Sequence, residues 1–107
     1  MKNIPDATSA VLRAISLTFV TFAVVFEEIR SRSWASATFV GARHELTFRV
    51  SGKGAGEAAD DFLRHLEARE FELRGHIMAD IALVSEERRD GEDLVRISLE
   101  ALTVEDA

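Results

Sequence analysis

The sequence predicts an α+β domain: a mixed four-stranded sheet in the order (α)ββαββ, with one main helix over about 55–70 packed on one face. Three observations predict it. Leu46, Phe48 and Val50 alternate strictly with polar residues, Ile77, Ala79, Ile81 and Leu83 alternate with Met78, Asp80, Ala82 and Val84, and Val95, Ile97, Leu99 and Ala101 alternate with Arg96, Ser98 and Glu100, the period of a strand. Ala55, Ala59, Phe62, Leu63 and Leu66 recur instead at helical spacing. Between these runs lie glycine-rich breaks, SGKGAG at 51–56 and Asp90-Gly91, the latter a hairpin signal.

Along the chain, Pro5 and Asp6 lead into a short helix. Leu12, Ile15, Phe19, Phe22, Phe26 and Ile29 continue the three-and-four spacing of a helix face, but Leu17 to Ile29 is dense in Val, Thr and Phe, which suit strands. The reading taken is a helix ending near Ile15 and a strand from about Leu17 to Arg30. Ser31 to Ser33 reads as a polar break. Trp34 to Val50 reads as the second strand, interrupted at Gly41, where an isolated glycine signals a bulge or bend.

The helix over Ala55 to Arg69 has Glu57, Asp60 and Asp61 in its first turns and Arg64, His65 and Arg69 towards its end, the polarity that the helix dipole favours. Ile77 to Val84 gives the third strand, EERRDGED from Glu86 to Asp93 a charged turn, and Val95 to Ala101 the fourth strand. A strand–helix–strand succession makes the second and third strands parallel, which is why the sheet is expected to be mixed.

A chain of 107 residues fits a single domain, 1–107. With 47% hydrophobic and 30% charged residues the composition is that of a globular protein, not a disordered one. The net charge of −6 argues against a general nucleic-acid binder, which needs clustered Lys and Arg. No cysteine is present, so disulfides, thiolate chemistry and cysteine metal sites are excluded. Ala7 to Phe26 approaches the length of a membrane span, but Arg13 and five Ser or Thr residues interrupt it. It is also a poor match to a signal peptide. The expectation is a chain without a membrane role, cytoplasmic or part of a particle.

Chemistry is not spelled out. Gly52, Gly54 and Gly56 sit where a phosphate loop would lie, yet a dinucleotide fingerprint needs glycine where Glu57 stands, and no Gly-Lys-Ser/Thr ending follows. His44, His65 and His76 have no partner histidine at i+3 or i+4, and Asp80 lies four residues after His76 on a strand. His44 beside Glu45 has serines nearby but no nucleophile elbow. No catalytic residue, cofactor or metal ligand is assigned. Arg88, Arg89 and Asp90 belong to a charged hairpin tip that could reach a neighbouring subunit, and Trp34, the lone tryptophan, reads as core or sheet-edge packing.

The run FEEIRSRSW from Phe26 to Trp34, followed by ASATFVGARHELTFRV to Val50, resembles the tail-completion proteins of tailed phages, prophages and gene transfer agents. The resemblance rests on an extended segment leading into a Trp, a small Ser/Thr-rich step, Thr38-Phe39-Val40-Gly41, the basic residue and histidine Arg43-His44, and an alternating strand. The helix from Ala55, Arg74-Gly75-His76, the Arg89-Asp90-Gly91 turn and a closing strand ending Glu100-Ala101-Leu102-Thr103 follow in the same order. The resemblance covers about Phe26 to Thr103. The region before Phe26 is shorter than the family's helical N-terminus, and the proline-containing loop ahead of the first strand is missing.

The resemblance implies a non-enzymatic virion part that assembles with itself as a ring, a hexamer, at the tail end or head–tail junction. Its partners would be copies of itself and other tail or connector proteins, with no direct nucleic-acid readout and no membrane. Trp34, Phe39, Gly41, His44, His76, Arg88, Arg89 and Asp90 are then interface or fold-keeping residues. The alternative is a small ferredoxin-like ligand-binding or interaction domain, with His44, His76 and Asp80 sharing a pocket.

Overall fold

The computed structural model describes residues 6–89 and 93–106. Its elements run α1 (Ala7–Thr18), β1 (Ala23–Ala35), β2 (Val40–Ser51), α2 (Ala55–Arg64), β3 (His76–Arg88) and β4 (Leu94–Glu105). The expected order (α)ββαββ is present, but two helices of similar length stand where one main helix was expected. Both lie on one face of the sheet, α1 against β2 and α2 against β2 and β4.

The sheet order is β1-β2-β4-β3 and every neighbouring pair is antiparallel, which corrects the expected mixed sheet. β2 and β3 do run in the same direction, but β4 lies between them. Burial explains why. Val95, Ile97, Leu99 and Ala101 on β4 are all shielded from solvent, so β4 takes a central place, while β3 carries Asp80, Ser85, Glu86 and Glu87 into solvent at the edge. The succession of elements also departs from the ferredoxin-like β-α-β-β-α-β pattern.

Asp6 caps α1, its carboxylate accepting from the Ser9 N–H at 2.7 Å. The helix continues past Ile15 to Thr18, whose hydroxyl donates to the Ala14 carbonyl at 3.0 Å. Tertiary packing overrides β-propensity here. Phe19 is drawn into the core beside Phe22, Phe48 and Phe62, with ring centroids 6.5, 6.1 and 5.1 Å away. Val11, Ile15, Leu46, Val50, Ala59 and Ile97 fill the space around this cluster.

The expected strand Trp34–Val50 is cut in two. Trp34 and Ala35 close β1, and Ser36 makes the turn: its N–H donates to the Phe39 carbonyl at 2.7 Å and its hydroxyl accepts from the Phe39 N–H at 3.0 Å. Ser31 to Ser33, read as a break, instead pair regularly with His44 to Ala42. Gly41 is no bulge either. It pairs with Trp34 and Val104, and a Cβ there would collide with the Trp34 ring and the Thr103 carbonyl oxygen.

α2 stops at Arg64, short of the expected Arg69, and the chain turns so that Leu66 is buried. Arg69 then lies over the Phe62 ring, 5.4 Å from its centroid. β3 continues through Glu86 and Glu87 to Arg88, residues expected in a turn, and the Arg89 N–H donates to the Leu94 carbonyl at 3.1 Å. The Asp90-Gly91 tip lies outside the described residues. Replacing the wholly buried Phe48 by Ala is expected to cost about 3–5 kcal/mol in urea unfolding, and Gly41→Ala to destabilise although it adds one methyl group.

Candidate interaction surface and the buried histidine

Alternation along the strands gives the sheet a helix-covered face and an open face. Residues directly opposite share a face, so the register defines rows across the four strands. On the open face these rows are Val25/Arg49/Arg96/Glu87, Glu28/Thr47/Ser98/Ser85, Arg30/Glu45/Glu100/Ala82, Arg32/Arg43/Leu102/Asp80 and Trp34/Gly41/Val104/Ile77.

Arg49 and Arg96 stand directly opposite each other, which alone would be repulsive. A bulge between Phe26 and Glu28 resolves this by placing the Glu27 carboxylate between them, 3.2 Å from Arg49 and 2.7 Å from Arg96. The hydrogen bond from Arg96 holds the Glu27 carboxyl below its usual range. Neither this bulge nor its role is legible in the sequence, where Glu27 and Glu28 form an undistinguished acidic pair.

His44 faces the helices and is fully buried. Its Nδ1 lies 2.8 Å from Ser31 Oγ and its Nε2 2.9 Å from Thr103 Oγ1. Thr103 donates its proton to the Ala42 carbonyl, so Oγ1 accepts from Nε2–H. Thr8 donates to Ser31 Oγ at 2.8 Å, leaving the Ser31 proton for Nδ1. The chain of donors therefore matches a neutral imidazole with its proton on Nε2. Burial, followed by the nearby His76, pushes the His44 pKa down, while Asp6 opposes the shift. Among the described residues no carboxylate is hydrogen-bonded to this ring, so the Ser31–His44 contact lacks the third member of a triad there. What it does is tie α1, β1, β2 and β4 together.

The expected pocket of His44, His76 and Asp80 is not formed. His76 and His44 lie on the helix-covered side of the sheet, where His76 borders an open groove of about 500 Å³ with Asp6, Thr8, Ser31 and Glu105. Asp80 belongs to the open face. Among the described residues no group of three or more His, Asp or Glu side chains is placed to hold a metal ion. No helix among them is long and apolar enough to cross a membrane.

The remaining residues singled out in the sequence are dispersed. Trp34 is half-buried over Gly41, and its Nε1 is shielded from solvent without a hydrogen-bond partner among the described residues. Phe39 projects from the β1–β2 turn, 55% exposed. Arg88 clamps β3 to α2 through Asp60 at 2.5 Å and the Gly56 carbonyl at 3.3 Å, and also binds Glu86 at 2.6 Å. Its guanidinium is thereby held even more firmly protonated than usual. Arg89 is exposed, and Asp90 lies outside the described residues.

No protein-family profile and no curated protein matches the chain. Its fold is similar to that of a chain in the virion of a native gene transfer agent particle, with a TM-score of 0.55 and 17% sequence identity over 94% of this chain and 95% of that one. The likeness therefore runs nearly end to end in both proteins.

The buried histidine makes a pH prediction. An unfolded His titrates near 6.5 and the folded His44 lower, so its contribution to stability is complete above about pH 6.5 and is lost as the pH falls through the folded value. The melting temperature should fall as the pH is lowered below about 6.5, and His44→Gln should flatten that slope. An unchanged slope in the variant would assign the effect to other groups.

Proposed function

We propose that this protein is a non-enzymatic structural component of a phage-like or gene-transfer-agent particle. In this reading it acts in tail completion at the tail end or head–tail junction, assembling with copies of itself as a hexameric ring and with other tail or connector proteins. The single observation that carries the reading is the end-to-end similarity of fold to a chain of a gene transfer agent virion. The sequence resemblance across Phe26 to Thr103 points the same way.

The candidate residues fit this reading as parts of a frame. Gly41 and Trp34 fix the hairpin end, His44 joins four elements, and Arg88 locks β3 to α2. Phe39 and Arg89 are exposed and available to a neighbour. None of these roles requires a reaction.

Deleting the gene in a particle-producing host is the direct test. The expected result is free heads and unjoined or irregular tails by electron microscopy, with the protein present in purified wild-type particles by mass spectrometry. Normal joined particles from the deletion strain, together with absence of the protein from wild-type particles, would overturn the reading.

A further inference from the structure

The two edges of the sheet carry complementary side chains in the same rows. On the helix-covered face one row runs Ile29, Leu46, Leu99, Leu83. Its central leucines are buried, but its two ends are not: Ile29 is 42% exposed on edge strand β1 and Leu83 44% exposed on edge strand β3. On the open face, Arg32 and Asp80 end one row. Trp34 and the exposed Ile77 end the next. Each edge thus shows an apolar residue on the helix side, then a charge and an apolar residue on the open side, with the charges opposite in sign.

Direction and regularity also match. Four antiparallel strands leave β1 and β3 running oppositely, so a copy set alongside with its β3 against β1 continues the antiparallel alternation. β1 is regular over 28–35, while β3 is interrupted at Ala79 and Val84 and regular over 80–83. Those interruptions are already accommodated by β4 in the same rows. A long regular edge without proline is a template for a further strand.

We propose that β1 of one copy pairs with β3 of a second copy in the register that continues these rows. Ile29 then lies beside Leu83 of the second copy, Arg32 beside its Asp80 and Trp34 beside its Ile77. Arg30 meets Ala82 and Glu28 meets Ser85, so no like charges are opposed. Pairing β1 with β1 about a two-fold axis at Ile29 would instead set Arg32 against the apolar Val25, the bulged Glu27 being skipped. Because the rows continue level, each added copy is not displaced along the strands, and this head-to-tail contact closes into a ring where the rotation per copy closes and runs on as an open filament where it does not. This inference rests on the self-assembly proposed above and names its surface.

The absence of cysteine makes cross-linking a clean test. Ile29 and Leu83 of one copy lie three strand spacings apart, roughly 14 Å, beyond the reach of a disulfide. Oxidised Ile29→Cys/Leu83→Cys should give a ladder of covalent multimers on a non-reducing gel. An equal mixture of the two single variants should give dimers only, and each single variant alone should remain monomeric on the gel. Arg32→Asp should weaken assembly in light scattering, and Arg32→Asp/Asp80→Arg should restore it, with circular dichroism verifying the fold of each variant.

Dimers from Ile29→Cys alone would overturn the proposal in favour of β1 on β1. Absence of the ladder from a wild-type protein that still oligomerises in light scattering would overturn the edge pairing while leaving self-assembly intact. A chain that is monomeric at every concentration and gives no ladder would overturn both.

Discussion

Everything in this fold follows from a helical layer that is narrower than the sheet it covers. Helices of 12 and 10 residues rest on strands of 12 or 13, so helices of roughly 18 and 15 Å lie on strands of roughly 40 Å. They seal the covered face of the central strands, from His44 to Val50 on β2 and from Val95 to Thr103 on β4, and much less of the edge strands, in a molecule 48 × 28 × 24 Å across. The Phe19–Phe48–Phe62 cluster is the pivot of this arrangement, because it is where α1, β2 and α2 meet. Apolar residues at the ends of the covered rows, Ile29 and Leu83, therefore stay in partial contact with water.

The same constraint accounts for the buried histidine. Where the N-terminal end of α1 reaches the sheet, the hydroxyls of Thr8 and the exposed Ser31 border an open groove and that of Thr103 is fully buried. His44 satisfies all of them in a single directional chain. A buried polar network of this kind fixes geometry more than it adds stability, since every member depends on the others. It therefore holds the β1–β2–β4 register where the aromatic cluster no longer reaches.

Much of the element order was legible because periodicity is local: α2, β3 and β4 each announce themselves over a few residues. Boundaries were less so. Ser36 ends a strand through its own side chain, a signal carried by one residue with no period, and Phe19 extends a helix because of partners far along the chain. The strand order was not read correctly, because a strand–helix–strand succession fixes only the shared direction of β2 and β3 and leaves open that β4 inserts between them. The histidine network was not readable, because Thr8, Ser31, His44 and Thr103 meet only when four elements are assembled. Gly41 carried a real signal, but its meaning is a tryptophan ring lying over the backbone and not a bend.

The open face argues separately about function. Its arginines do not form a basic field. Arg49 and Arg96 share Glu27, Arg30 stands opposite Glu45, and the Arg32/Arg43 pair lies next to the Glu45/Glu100 pair. Alternating bands of charge cancel at the distance of a Debye length, about 8–10 Å, so this face does not present the continuous positive potential that a phosphate backbone needs. Its concavity beside Glu28, Arg30, Glu45 and Glu100 measures about 210 Å³, smaller than the clefts of roughly 300–1,000 Å³ in which small molecules are enclosed. A surface with short-range charge pattern, little net field and two edges of different character discriminates between neighbours by register. That is the property required of a subunit that must meet its neighbours in one fixed orientation, as the assembly proposed above demands.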